Sequence, residues 1–317
     1  MTVVKRLGDA ADMHERNLEA AVTRVPQWNG KAISYGALVG GLTNQNWLVD
    51  VEGDPRRYFV KVPGEGSEMF VDRVAANEAA RNAHAAGIGP AVVFFDPKDG
   101  VEVSEFLEGY RACTNADFGD AAIQADVLGL YRQLHAGPRL TLTKTIFDMI
   151  EEHVEQGREL GAHFPPDMTW LLHRYGQAKA AFLASGLDLV PCFNDPMPGN
   201  FLVGADGAAK PMRLIDYEFA SNNERSYEFG VLFAEMFFDD EVSNGLIEQY
   251  MGSVSRQTIA RVKVNRALAD IKWASWAVVS RKLKDWDFDY QKYGVWKYMR
   301  ARDVMFDPRW ETWLRLV

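Results

Sequence analysis

Phe193-Asn194-Asp195-Pro196-Met197-Pro198-Gly199-Asn200-Phe201-Leu202-Val203, followed after the turn Gly204-Ala205-Asp206-Gly207 by Met212-Arg213-Leu214-Ile215-Asp216-Tyr217-Glu218, decides the reading of this 317-residue chain. One short loop, stiffened by proline and glycine, carries an aspartate and, five residues later, an asparagine, so both side chains can be aimed at one point. Two β-type runs, 201–203 and 212–215, flank the turn, and the second ends in the carboxylate of Asp216. Phosphoryl transfer calls for such a set: a carboxylate at the acceptor hydroxyl, hard oxygen ligands for a divalent cation, and a cation on the phosphates. Turn formation by itself accounts for Asp195 and Asn200 beside Pro196, Pro198 and Gly199. The apolar-apolar-Asp strand end that follows is what makes the chemical reading the more specific one.

Upstream, Tyr58-Phe59-Val60-Lys61-Val62 is a strand with a lysine in its middle. A buried ammonium needs a partner, since leaving one unpaired costs several kcal/mol. In phosphoryl-transfer enzymes such a lysine binds the nucleotide phosphates and is anchored by a glutamate on the next helix, here Glu78 in the alanine-rich stretch 71–86, with Asp72 and Glu68 as competitors. An edge-strand lysine facing water is the plain alternative. Gly40-Gly41-Leu42-Thr43-Asn44 lies between two strand runs, where glycines let backbone N–H groups approach phosphate oxygens, although most such pairs are hairpin turns. No GxxxxGK[ST] occurs, which argues against a P-loop enzyme.

The character of the chain changes near residue 110. Short β-type runs dominate before it (58–62, 91–95, 101–106); helical periodicity dominates after it, over about 119–136, 145–160, 167–185, 226–238, 244–251, 256–284 and 289–304. The expectation is an α+β, bilobal chain with a β-rich N-terminal lobe (1–107) and a larger helical C-terminal lobe (108–317).

The bulk properties exclude several classes. With 35 basic and 44 acidic residues the formal charge is −9, a surface that repels phosphate backbones, so nucleic acid is not an expected partner. No apolar run approaches the ~20 residues that span a bilayer, and the first residues, Met1-Thr2-Val3-Val4-Lys5-Arg6, lack the apolar core of a signal peptide. The two cysteines, Cys113 and Cys192, show no metal-type spacing, and none of the six histidines shows ligand spacing. The expectation is a soluble cytoplasmic protein without membrane insertion.

GGLTNxNW at 40–47, FVKVPG at 59–64, SEFLEG at 104–109, NDxxxGNFL at 194–202, IDYEFAS at 215–221, WASWAVVSRKL at 273–283 and FDYQKY at 288–293 together resemble the choline/ethanolamine kinase family, within the aminoglycoside-phosphotransferase-like, protein-kinase-like fold. The resemblance implies ATP and Mg²⁺ as cofactors, with Asp195 orienting the acceptor hydroxyl and Asn200 and Asp216 holding the metal. It implies that Gly40, Gly41, Thr43, Asn44, Lys61 and Glu78 serve the phosphates, and fold analogy puts adenine on the backbone near Glu105 and Leu107. This chain departs from the family at three places: Phe193 stands where histidine is usual, Lys61 where many members have arginine, and Glu228 where aspartate is common.

The connection from Asp216 to the helix near Ser226 is too short for a peptide-docking segment, which favours a small acceptor. The C-terminal third is rich in aromatic residues, and Trp273 and Trp276, at i and i+3, share a helix face. Rings attract a quaternary ammonium at roughly 0.5–2 kcal/mol each, whereas core packing is the plain reading of an aromatic stripe. The resemblance implies a cation pocket of Trp273, Trp276, Phe288 and Tyr293 with Glu235 as its carboxylate, and so choline as the acceptor. Ethanolamine, thiamine or an aminoglycoside, or a catalytically weak quaternary-ammonium binder, are the alternatives. Trp286, Trp296 and Trp310 read as packing or surface residues.

Overall fold

The computed structural model describes residues 4–38, 41, 44–284 and 287–317. In chain order, β1 (Lys5–Arg6), α1 (Met13–Val22), β2 (Ile33–Leu38), β3 (Asn44–Val51), β4 (Arg57–Pro63), α2 (Arg73–Ala85), β5 (Val92–Phe95), β6 (Glu102–Glu105) and β7 (Tyr110–Ala112) come first. They are followed by α3 (Ala121–His135), α4 (Ile146–Glu159), α5 (Met168–Ser185), β8 (Leu189–Cys192), β9 (Phe201–Gly204), β10 (Arg213–Leu214) and β11 (Ser221–Glu224). Helices α6 (Arg225–Glu235), α7 (Asp240–Met251), α8 (Arg256–Leu283), α9 (Tyr290–Phe306) and α10 (Trp310–Leu316) complete the chain.

Two compact units result: Met1–Arg111 with Leu202–Phe219, and Ala112–Phe201 with Ala220–Val317. The division differs from a single break after residue 107, because β9 and β10 extend a three-stranded sheet from β7 and carry Asp216 into the first unit.

The first unit is built on a sheet of order β1-β2-β3-β4-β6-β5 whose paired strands run antiparallel. Val60 faces Trp47 on one side and Val103 on the other, while Val49 pairs with both Tyr35 and Tyr58. These side chains are buried in one cluster with Trp28 and Leu18, and each contributes roughly 1.5–3 kcal/mol by leaving water. Strand alternation then fixes the rest: with Val60 and Val62 turned one way, Lys61 must point to the other face. Helix α2 starts where Asp72 caps it, its carboxylate accepting the Ala75 N–H at 3.0 Å, and Gly87 follows its end at φ +75°.

The second unit is organised around α8, which at ~1.5 Å per residue runs about 42 Å. Most of its residues are buried, Asn265, Asp270, Lys272, Ser275 and Ser280 included, because α4, α6, α9 and α10 all pack against it. Gly230 lets α6 approach closely: a Cβ there would lie 2.8 Å from the Arg266 nitrogen. β11 has no apolar run to announce it, yet Ser221-Asn222-Asn223-Glu224 is wholly buried against β8. Side-chain hydrogen bonds hold it there. Asn222 accepts from the Leu140 N–H (3.0 Å) and donates to its carbonyl (2.7 Å), and Asn223 accepts from the Ile146 N–H at 2.9 Å. Helices α1 and α10 and strands β1, β7, β8 and β11 were not foreseen in the sequence pattern; among the described residues, no helix is long and apolar enough to cross a membrane.

Candidate active site

In the first unit, the Lys61 ammonium on β4 donates to Asp216 Oδ1 at 2.6 Å and lies 3.5 Å from Glu218 Oε1. Burial alone would push this lysine down; the charges of Asp216, Glu218 and Glu102 outweigh burial and raise it above the usual value, so it is a fixed cation. Glu218 is held from two further directions, by Arg73 of α2 at 2.5 Å and by the Asn44 amide at 2.7 Å. Although burial works against ionisation, Lys61 and Arg73 keep Glu218 below the ordinary glutamate range. Asp216 is pushed the other way by its burial, against the pull of Lys61. Its backbone is left-handed, φ +70°, a conformation that aspartate tolerates better than most residues and that is common where function holds the chain in strain.

The other residues singled out in this unit are accounted for as follows. Asn44 is buried and spends its amide on Glu218. Gly41 has φ +88°, and a Cβ on it would come within 2.9 Å of the Asn46 amide, so glycine is required by geometry. Gly40 and Thr43 lie outside the described residues. Glu78 is half-buried on α2, Glu68 is exposed, and Asp72 is engaged as the α2 cap. Glu105 closes β6 opposite Tyr58, with its N–H bound to the Ala91 carbonyl at 2.9 Å, and Leu107 follows, half-buried.

In the second unit, the loop after β8 presents Asp195 half-buried, and Asn200 donates from Nδ2 to the Asp195 carbonyl (3.0 Å) and more weakly to its carboxylate (3.4 Å). Asn194 is fully buried at φ +66° and ties the loop to β11, donating to Ser221 Oγ at 2.9 Å and accepting from Asn223 at 3.0 Å. Glu228 of α6, fully buried, accepts the N–H of Phe193 at 2.6 Å and of Asn194 at 2.9 Å. Phe193 packs edge-on to Phe201, centroids 6.4 Å apart, so the position carries a core ring. An imidazole still stands beside the loop-holding carboxylate, supplied by His135 of α3 at 3.6 Å from Glu228. The ligand atoms of His135, Cys192 and Glu228 lie within 4.8 Å of one another, but the Glu228 oxygens serve the loop amides and burial raises the Cys192 thiol.

The aromatic residues of the same unit do gather. Trp273 and Trp276 are edge-to-face at 5.6 Å, Tyr293 lies 6.1 Å from Trp276, and Phe288 lies 5.7 Å from Tyr293. Glu235 joins them from α6, in an ion pair with Lys297 of α9. Asp270 of α8 binds Arg300 at 2.5 and 2.9 Å and lies 3.7 Å from Lys297. Burial pushes the Tyr293 phenol well up, and the charges of Glu235, Asp195 and Asp270 add to that, so the cluster stands within electrostatic reach of the Asp195 carboxylate. Trp296 is largely exposed and Trp310 fully buried; Trp286 lies outside the described residues.

A family model described as Choline/ethanolamine kinase matches residues 36–250, the stretch that holds Lys61, Asp195, Asn200 and Asp216. The chain belongs to the choline/ethanolamine kinase family. It is similar to Protein LicA of Haemophilus influenzae, 23% identical over 259 residues, covering 77% of this chain and 73% of that protein. It is also similar to Probable choline kinase 2 of Arabidopsis thaliana, 23% identical over 323 residues, covering 91% and 88% of the two chains. Among solved structures, a choline/ethanolamine kinase family protein from Mesorhizobium loti superimposes with a TM-score of 0.77 at 23% identity, over 96% of this chain and 99% of the other. The fold is protein-kinase-like, and the protein is an ATP-dependent small-molecule phosphotransferase.

Sequence reasoning missed Arg73 altogether, and for Asn44 and Glu228 it named the residue without its partner. Arg73 and Asn44 share Glu218 with Lys61, and Glu228 holds the loop amides. Glu228 had a signal, as the acid in the helix after the 215–221 stretch, whereas nothing in the local pattern marks Arg73. Replacing Glu228 by alanine strands two buried N–H groups at roughly 1–3 kcal/mol each. The expected result is a loss of about 2–5 kcal/mol in urea unfolding together with a lowered kcat; unchanged stability would remove Glu228 from this role.

Proposed function

We propose that this protein transfers the γ-phosphoryl group of ATP to the hydroxyl of a small amino alcohol. The observation that carries the reading is the Lys61 ammonium fixed 2.6 Å from Asp216 and shared with Glu218, a permanent cation suited to phosphate oxygens. Glu78 is the proposed further anchor of Lys61, with Gly40, Gly41, Thr43 and Asn44 near the phosphates and the backbone of Glu105 and Leu107 toward adenine. Asp195 orients the acceptor hydroxyl. Asp216 and Asn200 are each proposed as Mg²⁺ ligands. The donor chemistry fits a hard cation: one is a carboxylate, and the other an amide whose nitrogen is spent on the loop and whose oxygen is a hard donor. Bound there, Mg²⁺ would neutralise phosphate charge.

Choline is the acceptor the resemblance implies, and the grouping of Trp273, Trp276, Phe288 and Tyr293 around Glu235 supports an ammonium-binding role for this cluster. Two buried free cysteines are in keeping with a reducing cytoplasm. ADP release from Mg-ATP, measured with ethanolamine, choline, thiamine and an aminoglycoside in turn, tests the reading. Acceptor-dependent turnover with an amino alcohol is expected; turnover with none of them would sink it.

A further inference from the structure

The face of Trp273 is already covered. The Lys272 side-chain nitrogen stands 3.0 Å from the ring centroid, closer than the bulk of three N-methyl groups would allow a quaternary nitrogen to come. Lys272 is fully buried on α8, so this position is part of the packed interior. It lies next to Trp273 in sequence, and within the cluster Lys297 stands 5.2 Å from the Tyr293 ring and Lys284 5.5 Å from the Trp276 ring. The protein therefore brings its own amines to rings that would otherwise receive a methylated ammonium.

Charge points the same way. Glu235 and Asp270 are balanced by Lys297 and Arg300, which pair with both. Asp195, and more weakly Glu152, are further carboxylates whose charge reaches Lys272. A trimethylammonium has no N–H and gains little from carboxylates that already hold hydrogen-bonding cations; a primary ammonium carries three donors and can share them.

We propose that Lys272 is a specificity-determining residue that closes the Trp273 face to quaternary ammonium groups, so that the acceptor is a primary amino alcohol whose N–H groups are taken by Glu235 and Asp195. The proposal rests on the amino-alcohol reading above and narrows it. Burial pushes Lys272 well below the ordinary amine value, against the pull of Asp195. In either protonation state the side chain covers the ring.

A methylation ladder tests it: ethanolamine, N-methylethanolamine, N,N-dimethylethanolamine and choline, each assayed for kcat/KM with Mg-ATP. For the wild-type protein kcat/KM is expected to fall along the ladder, by about tenfold or more between its ends, the worth of one desolvated ring contact. Lys272→Ala uncovers the ring and is expected to narrow that ratio, mainly through a lower KM for choline. Lys272→Met keeps the ring covered, so it should bring no gain for choline. A wild-type preference for choline overturns the proposal and leaves the amino-alcohol reading standing. An unchanged ratio in folded Lys272→Ala overturns the role of Lys272. Turnover with no rung of the ladder defeats the underlying reading, and the proposal with it. If Lys272→Ala does not fold, the wild-type ranking and Lys272→Met still decide.

Discussion

Asp195→Asn is expected to lower kcat about a thousandfold, within the 10²–10⁴ that a positioned base contributes, while the fold and the KM for ATP stay near their native values. The reason lies in what holds the loop. Glu228 binds the Phe193 and Asn194 amides, the Asn194 side chain is tied to Ser221 and Asn223, and Asn200 reaches the Asp195 carbonyl. None of these bonds uses the Asp195 carboxylate, whose contact with Asn200 is a long 3.4 Å. An asparagine can therefore sit in the same loop with its charge and basicity gone. Steady-state kinetics with an unmethylated amino alcohol, beside a thermal melt, make the measurement. Near-native phosphorylation would remove Asp195 from its proposed role; a collapsed melting transition would instead show that the loop depends on the carboxylate.

The second large effect is expected at Asp216. Asp216→Ala should cut turnover by at least about 10²–10³-fold, the usual cost of deleting a preorganised charged contact. Lys61 would lose its 2.6 Å partner but keep Glu218 at 3.5 Å, so the buried ammonium is not stranded and the unit stays folded. The backbone adds a complication. At φ +70° alanine is strained by about 1–2 kcal/mol where aspartate and asparagine are better tolerated. Asp216→Asn therefore serves as the companion variant, equal in shape and lacking only the charge. Both variants should be inactive, and only the alanine form should melt earlier. Activity retained by Asp216→Asn would contradict the assigned charge role.

Much of this was legible in the chain because spacing reports local geometry. Helix α2 was expected over 71–86 and forms Arg73–Ala85; α8 was expected over 256–284 and forms Arg256–Leu283, with Asp72 and Ser255 as caps. Alternation along 58–62 singled out Lys61, and the proline- and glycine-bearing loop with the Leu-Ile-Asp strand end singled out Asp195, Asn200 and Asp216.

Partners were another matter. That Lys61 is held by Asp216 and Glu218, that Arg73 and Asn44 converge on the same glutamate, and that Glu228 grips the loop from α6 all depend on residues 34 to 174 positions apart. Ser221-Asn222-Asn223-Glu224 looks like a solvated turn and is instead a buried strand, because its amides replace water with backbone partners of the 140–146 segment. Sequence by itself determined the family likeness and the phosphoryl-transfer reading of the 193–218 segment, since that reading needs only a few residue types in one loop and at one strand end. Tertiary structure decided what surrounds the rings of α8: the WASW pattern reads the same whether or not an amine covers Trp273. Which buried charge meets which neighbour is set by packing between helices distant in sequence, and no local period records it.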